Sequence, residues 1–263
     1  MSSIVTRVRK KQISELMATD KRMDGRELTD YREMKIEQGL IERAEGSARI
    51  VLGKTEIVVG VKIEMGEPFP DTPNDGVLTV NAELTPMASP KFEAGPPDEK
   101  SIELARIVDR GIRESKAIDT AKLVIEPGKK VFVVFVDIYV LNHGGNLIDA
   151  AAFAAVSALL NTKMSNYEVK DGEVQIKSGY EQLPIKKRPI TVTIAKIGDK
   201  LIVDPSLEEE EVMDARISMA IDDDENICAM QKGGSGYFLP NEIMEAAKIA
   251  QTKAKEMRKK LNW

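Results

Sequence analysis

Residues 131–162 read VFVVFVDIYVLNHGGNLIDAAAFAAVSALLNT, and the reading of this stretch decides the fold. Val131 to Leu141 is rich in β-branched and aromatic residues and almost continuously apolar. That composition predicts a strand covered on both faces. Asn142-His143-Gly144-Gly145-Asn146 supplies turn chemistry. From Leu147 the chain turns alanine-rich and apolar on nearly every side, which predicts a buried helix packed close to its neighbours. A glycine turn feeding a helix is also a natural place for an anion, because free N–H groups and the helix dipole converge there. The plainer alternative is a simple strand-to-helix connection. The side chains around the turn decide between the two.

Outward from that unit the chain alternates strands and helices. Residues 3–19 predict a short amphipathic helix. Its apolar side is Ile4, Val5, Val8, Leu16 and Met17, and its basic side is Arg7, Arg9, Lys10 and Lys11. It reads as a surface helix or as a nucleic-acid contact. Residues 33–65 predict strands, with Ile57, Val59, Val61 and Ile63 alternating and Gly53-Lys54 as a hairpin turn. Another strand follows over 76–84, and the proline-rich residues 85–99 form an extended loop. Residues 99–118 predict a helix with Leu104, Ile107, Val108 and Ile112 as its buried stripe. Asn166 to Ser178 predicts a polar hairpin. Residues 188–197, 200–203, 217–221 and 226–230 predict strands, and a helix capped by Asn241 runs to Leu261. This order gives an α+β fold of two similar halves with mostly antiparallel or mixed sheets. The expected boundaries are an N-terminal helix over 1–20 and a body over 21–263. The body divides into halves of about 21–165 and 166–263.

The chain has 263 residues, a net charge of −5 and 42% hydrophobic residues, a balance suited to a soluble protein with a sizeable core. A nucleic-acid contact would therefore need a local basic face. The single cysteine, Cys228, sits in an apolar run and reads as a small buried hydrophobe, and no disulfide can form within the chain. No stretch is apolar enough for a membrane span, and the N-terminus lacks the apolar run of a signal peptide. A cytoplasmic protein is expected.

Few residues qualify for chemistry. His143 is the only histidine and reads as a satisfied turn residue rather than part of a triad. No His/Cys cluster suggests a metal, and no cofactor is expected. Glu208 to Glu211 read as a solvated edge. Asp222 to Glu225 reads as a hairpin turn with room for a loose cation. Arg106, Arg110 and Arg113 share one helix face, away from the buried stripe. Glu103, Asp109 and Glu114 lie within helical reach and could pair with them. Left free, the guanidiniums would suit a polyanion such as an RNA backbone.

Several motifs in order resemble the RNase PH family of phosphorolytic 3′-to-5′ exoribonucleases. They are Arg22-Met23-Asp24-Gly25-Arg26, Glu45-Gly46-Ser47-Ala48, Gly53-Lys54-Thr55, the Arg106-to-Arg113 helix and the strand–Gly144-Gly145–alanine helix. The runs Glu103-to-Arg110 and Lys122-to-Gly128 look most like the catalytically silent RNase PH-like subunit of the archaeal exosome ring. The resemblance implies a hexamer of three heterodimers with a catalytic RNase PH-like subunit. It also implies RNA-binding cap subunits on one face and RNA held near the partner's active site by Arg106, Arg110 and Arg113. Active members carry a hydroxyl residue and then arginine after the glycine turn, to hold the attacking phosphate. Here Asn146 and Leu147 stand there, and leucine cannot clamp a dianion. The family's carboxylates best match Asp204, Glu210 and Asp214, so a degenerate site of Asn146, Leu147, Asp204 and Asp214 is expected. The resemblance thus implies a non-catalytic subunit of a phosphorolytic complex. The alternative is a chain that is itself a phosphate-dependent exoribonuclease.

Overall fold

The computed structural model describes residues 4–170 and 173–261, with side chains for 10–168, 175 and 177–261. The first sheet contains β1 (Met34–Gln38), β2 (Gly46–Leu52), β3 (Thr55–Gly66), β4 (Val77–Leu84), β5 (Val124–Glu126) and β6 (Lys130–Asn142). Its order is β1-β2-β3-β6-β4, with β5 paired to β6. Only β4 and β6 run parallel among these pairs, because α2 (Glu99–Glu114) lies in the crossover between them. The second sheet takes the order β10-β9-β11-β12, all antiparallel, from β9 (Ile190–Ile197), β10 (Lys200–Val203), β11 (Ala215–Ile221) and β12 (Ile227–Gly233).

Helix α3 (Leu147–Leu160) lies between the sheets, touching β2 and β3 on one side and β9 on the other, with α2 beside it. Its alanines permit this approach: Ala150, Ala151, Ala154, Ala155 and Ala158 are fully buried. The fit against β2 is so close that a Cβ on Gly46 would lie 2.6 Å from the Ala158 carbonyl oxygen. The long helix α5 (Pro240–Arg258) covers the second sheet's other face, on β9 and β11. One core cluster runs through both sheets and these helices, from Ile50 and Val59 to Val192, Met219 and Ala250. The α+β fold expected from the sequence is thus the one observed.

Several local expectations change. Strand β6 is covered on one face only. Val134, Val136, Ile138 and Val140 face α3, while on the other face Val131 is buried, Val133, Phe135, Asp137 and Leu141 are half-buried and Tyr139 is exposed. Its β-branched run reflects sheet propensity as much as burial. Helix α2 stops at Glu114, because Lys116 turns left-handed at φ 53° and Ala117 N–H bonds back to Ile112. Its N-cap, Asp98, accepts the Ser101 N–H at 2.8 Å, a cap worth about 1 kcal/mol. The C-terminal helix starts earlier than Asn241. Leu239 is its N-cap, Pro240 occupies the first turn, and the Glu242 carboxylate accepts the Leu239 N–H at 2.7 Å. The polar hairpin is longer than expected, β7 (Lys163–Lys170) with β8 (Glu173–Gln182). Cys228 is only half-buried, because β12 is an edge strand.

The N-terminal helix α1 (Ile4–Ala18) packs Ile13 and Met17 into a second apolar cluster with Ala195, Ile197, Ile202 and Val212. The side chains of Ile4, Val5, Arg7, Val8 and Arg9 lie outside the described residues, and Lys10 and Lys11 are exposed. No helix among the described residues is long and apolar enough to cross a membrane.

Candidate functional site

The glycine turn between β6 and α3 is built by close approach. Gly145 has φ 94°, and a Cβ there would lie 2.4 Å from the Leu207 nitrogen. Leu207 opens the short helix α4 (Leu207–Glu210), which Ser206 and Glu209 start as a capping box. The turn is therefore pressed between α4 and the β2–β3 hairpin. Asn146, left-handed at φ 52°, is the N-cap of α3 and is 1% exposed. Its amide group is committed internally, since Nδ2 donates to Asp149 Oδ2 and to Asp204 Oδ1, each at 2.8 Å. Asn146 therefore has no side-chain donor to offer a phosphate. Its backbone N–H, the donor that an anion at this helix end would take, goes to Glu210 Oε1 at 2.8 Å.

Arginines from the segment before β1 close the site. Arg22 is fully buried and pairs with Glu209, its Nε at 2.9 Å from Oε1, and it also donates to the carbonyls of Val203 and Asp204. Arg26 Nη1 donates to Asp204 Oδ2 at 3.0 Å. Arg32 binds both oxygens of Asp204, Nε to Oδ2 at 2.8 Å and Nη2 to Oδ1 at 2.7 Å. Arg32 also donates to the carbonyls of Gly144 at 2.7 Å and Gly145 at 3.1 Å. Tyr31 O–H donates to Asp149 Oδ2 at 2.8 Å, and Thr193 N–H donates to the same oxygen at 3.0 Å.

Electrostatics follow from this packing. Burial opposes ionisation of Asp204, but hydrogen bonds and charge from Arg32 hold it below the usual carboxylate range. Burial pushes Asp149 up to about 6 and Glu210 up to about 7, with the Asn146 N–H pulling Glu210 the other way. Glu209 is buried and Glu210 half-buried, so the acidic run is not the solvated edge expected. Its one-turn helix points two of its carboxylates into the protein. Asp214 is not part of this site. Its carboxylate meets Lys10 Nζ at 3.0 Å and the Gly198 N–H at 2.9 Å, toward α1 and the β9–β10 turn.

The remaining candidates are structural. His143 stacks on Phe92 with ring centroids 5.4 Å apart, and burial with nearby Lys100 and Lys91 lowers its pKa. In the Asp222–Glu225 turn the cation is the protein's own. Lys187 Nζ sits 2.6 Å from Asp222 and 2.9 Å from Asp224. Among the described residues no group of acids, histidines or cysteines could hold a metal.

Comparison with known proteins fits this architecture. The 3′ exoribonuclease family, RNase PH, matches in its domain 1 over residues 30–165 and in its domain 2 over residues 187–253. The chain belongs to the RNase PH family. A relative from Thermococcus kodakarensis, named exosome complex component Rrp42, is 52% identical over 260 residues, 98% of this chain and 96% of its own length. The protein of the same name from Pyrococcus horikoshii is 53% identical over 98% of this chain and 95% of its length. Among solved structures, a chain of the Archaeoglobus fulgidus exosome with RNA bound to the active site superposes with a TM-score of 0.91. It is 45% identical and covers 99% of this chain and 100% of its own. A chain of an archaeal exosome core gives 0.87 at 42% identity, with 98% of each chain covered.

Helix α2 carries the remaining candidates. Arg106, Arg110 and Arg113 are all exposed, as the helical spacing predicts. Their acidic neighbours pair less than the sequence allows. Glu103 is taken by Arg216 at 2.8 Å, and among the described residues Asp109 pairs only with Arg113, at 2.6 Å. Arg113 also donates to the Leu78 carbonyl. Among the described residues Arg110 reaches only the neutral Gln231, at 3.4 Å. Arg106 has no ion pair among the described residues. Sequence reasoning missed Arg22, Arg26, Tyr31, Arg32, Asp149 and Glu209 as site residues. One readable signal was Ser206-x-x-Glu209, a capping box that marks a helix start inside the acidic run.

Proposed function

We propose that this chain is the non-catalytic RNase PH-like subunit of an archaeal exosome, a phosphorolytic 3′-to-5′ exoribonuclease complex. It completes a hexameric ring of three heterodimers with a catalytic RNase PH-like subunit and guides RNA to that subunit's active site. Cap subunits with RNA-binding domains sit on one face of the ring. The observation that carries the silent assignment is the occupied anion site. Glu210 holds the Asn146 N–H, Arg32 is bound to Asp204, and Leu147 stands where active family members place the phosphate-binding arginine. Phosphorolysis needs a cationic clamp on a dianion, and among the described residues no guanidinium at this turn is left to provide one. The strong likeness to proteins named exosome component supports ring membership.

Arg106 and Arg110 carry the RNA contact, because their charge is not spent within the chain. Arg113 contributes less, since Asp109 neutralises it. Such contacts read the backbone rather than the sequence and weaken with salt. The test is phosphate-dependent release of nucleoside diphosphates from a single-stranded RNA. The purified chain alone is expected to release none, and the ring assembled with its catalytic partner to release them processively. Robust release by the chain alone would sink the proposal in favour of an active exoribonuclease.

A further inference from the structure

A cavity of about 280 Å³ opens beside the glycine turn, between α2, α3, α4 and the loop before α2. Its walls are apolar, formed by Leu104, Leu147, Ile148, Leu207 and Met213. The stacked Phe92–His143 pair adds a π surface to the same wall. Its rim carries Lys91, Lys100 and Arg216. Two of the three acids of the rim are paired with its cations, and the third takes a backbone N–H. Glu211 meets Lys91 at 2.7 Å, Glu103 meets Arg216 at 2.8 Å, and Glu210 holds the Asn146 N–H. Lys100 is exposed and has no ion pair among the described residues, so the rim keeps a free positive charge.

The cavity also adjoins α2, the helix that bears the open arginines. Lys100 and Arg110 stand on the same helix, roughly 15 Å apart along its axis at 1.5 Å per residue. Arg106 lies between them, and the Arg216–Glu103 pair links the rim to α2. At roughly 100° per residue Lys100 lies about 80° around the helix from Arg110 and about 120° from Arg106, so a chain of phosphates laid along the arginines reaches Lys100 and the cavity mouth by turning about α2 past the Arg216–Glu103 pair. The leucine that forbids a phosphate at the end of α3 gives the cavity an apolar wall, and such a wall favours a neutral, flat, polarizable group.

We infer that this cavity receives one nucleobase of the passing single-stranded RNA, with the adjoining phosphate on Lys100. The nucleotide is held without being cleaved. This rests on the RNA-guiding role proposed above, and the experiment separates the two. The ring is assembled from this chain and its catalytic partner in phosphate-free buffer, so that RNA is bound and not consumed. An oligo(A) RNA carrying dispersed 4-thiouridine is irradiated, and crosslinks are mapped by peptide mass spectrometry.

The expected result is crosslinks at His143, Leu147 or Met213, besides those on the peptide bearing Arg106 and Arg110. Met213→Trp, which fills the cavity, should cut the cavity crosslinks roughly tenfold, the scale of one lost stacking contact. It should leave the α2 crosslinks in place. Lys100→Glu, a change at an exposed site, should do the same should the tryptophan variant fail to assemble. Crosslinks confined to the α2 peptide, or cavity crosslinks indifferent to both variants, would overturn this inference and leave RNA guiding intact. Crosslinks on neither peptide would overturn both.

Discussion

Two sets of arginines in this molecule have the same chemistry and opposite fates. Arg22, Arg26 and Arg32 point inward and are bound to Glu209 and Asp204. Arg106, Arg110 and Arg113 stand on the surface of α2, and among the described residues only Arg113 has an acid of its own. The inward set ties the segment before β1 to Asp204, just after β10, and to Glu209 of α4. The outward set keeps its charge for something outside the chain. Arginine count alone would not distinguish a structural clamp from a ligand surface. The partner of each guanidinium does.

The largest expected effect is on the inward set. Arg22→Ala leaves Glu209 buried without a counter-charge, and should cost about 3–5 kcal/mol in urea unfolding. Replacing both partners, Arg22→Met with Glu209→Leu, should recover most of that loss. Equal losses in the single and double variants would mean that Arg22 acts through its carbonyl contacts rather than through the ion pair.

The outward set should reverse this pattern. Arg106→Glu and Arg110→Glu should change stability by no more than about 0.5 kcal/mol. In the assembled ring each should weaken RNA binding, and neutral Arg→Ala replacements should lower the salt slope by about one unit per contact removed. Arg113→Ala should affect RNA less and cost about 0.3–0.5 kcal/mol, the value of its pair with Asp109. A larger RNA defect at Arg113 than at Arg110 would invert the ranking.

The smallest effect concerns pH. Asp149 and Glu210 have folded pKa values of about 6 and about 7, raised by burial from 3.8 and 4.5. A raised pKa contributes stability that is complete below the ordinary value and is lost as pH rises through the folded one. These groups therefore make stability fall between the ordinary value of 3.8 and about 7. Asp204, held low, opposes them by losing stability as the solution becomes more acidic than its ordinary value. Glu210→Gln keeps an acceptor for the Asn146 N–H, so it should flatten the upper part of the fall. Melting temperature against pH, compared with the parent chain, checks this.

The same contrast explains what could be read from sequence. The β6–turn–α3 unit was legible because its signals are local: a β-branched run, a glycine pair and a run of alanines. The exposed face of α2 was legible because 3.6 residues per turn fixes which positions align. The clamp was not, because nothing near Arg22 or Arg32 announces a partner at residue 204 or 209. The acidic run misled because clustered charges are usually solvated, and only the capping box reveals that this one enters the core. Asp214 was placed in the site by a match to a family pattern. Its neighbours Met213 and Arg216 do line the cavity, while its own carboxylate faces α1.

The sequence separation between the clamp's partners has a consequence for synthesis. Arg22 and Glu209 are 187 positions apart, and Arg32 and Asp204 are 172 apart. As the nascent polypeptide leaves the ribosome, the first of each pair emerges long before the second. The early segment must wait, solvated and unanchored, until the second half of the protein has been translated. The pocket at the glycine turn is thus among the last parts of the molecule to take shape, and a prematurely terminated chain cannot assemble it.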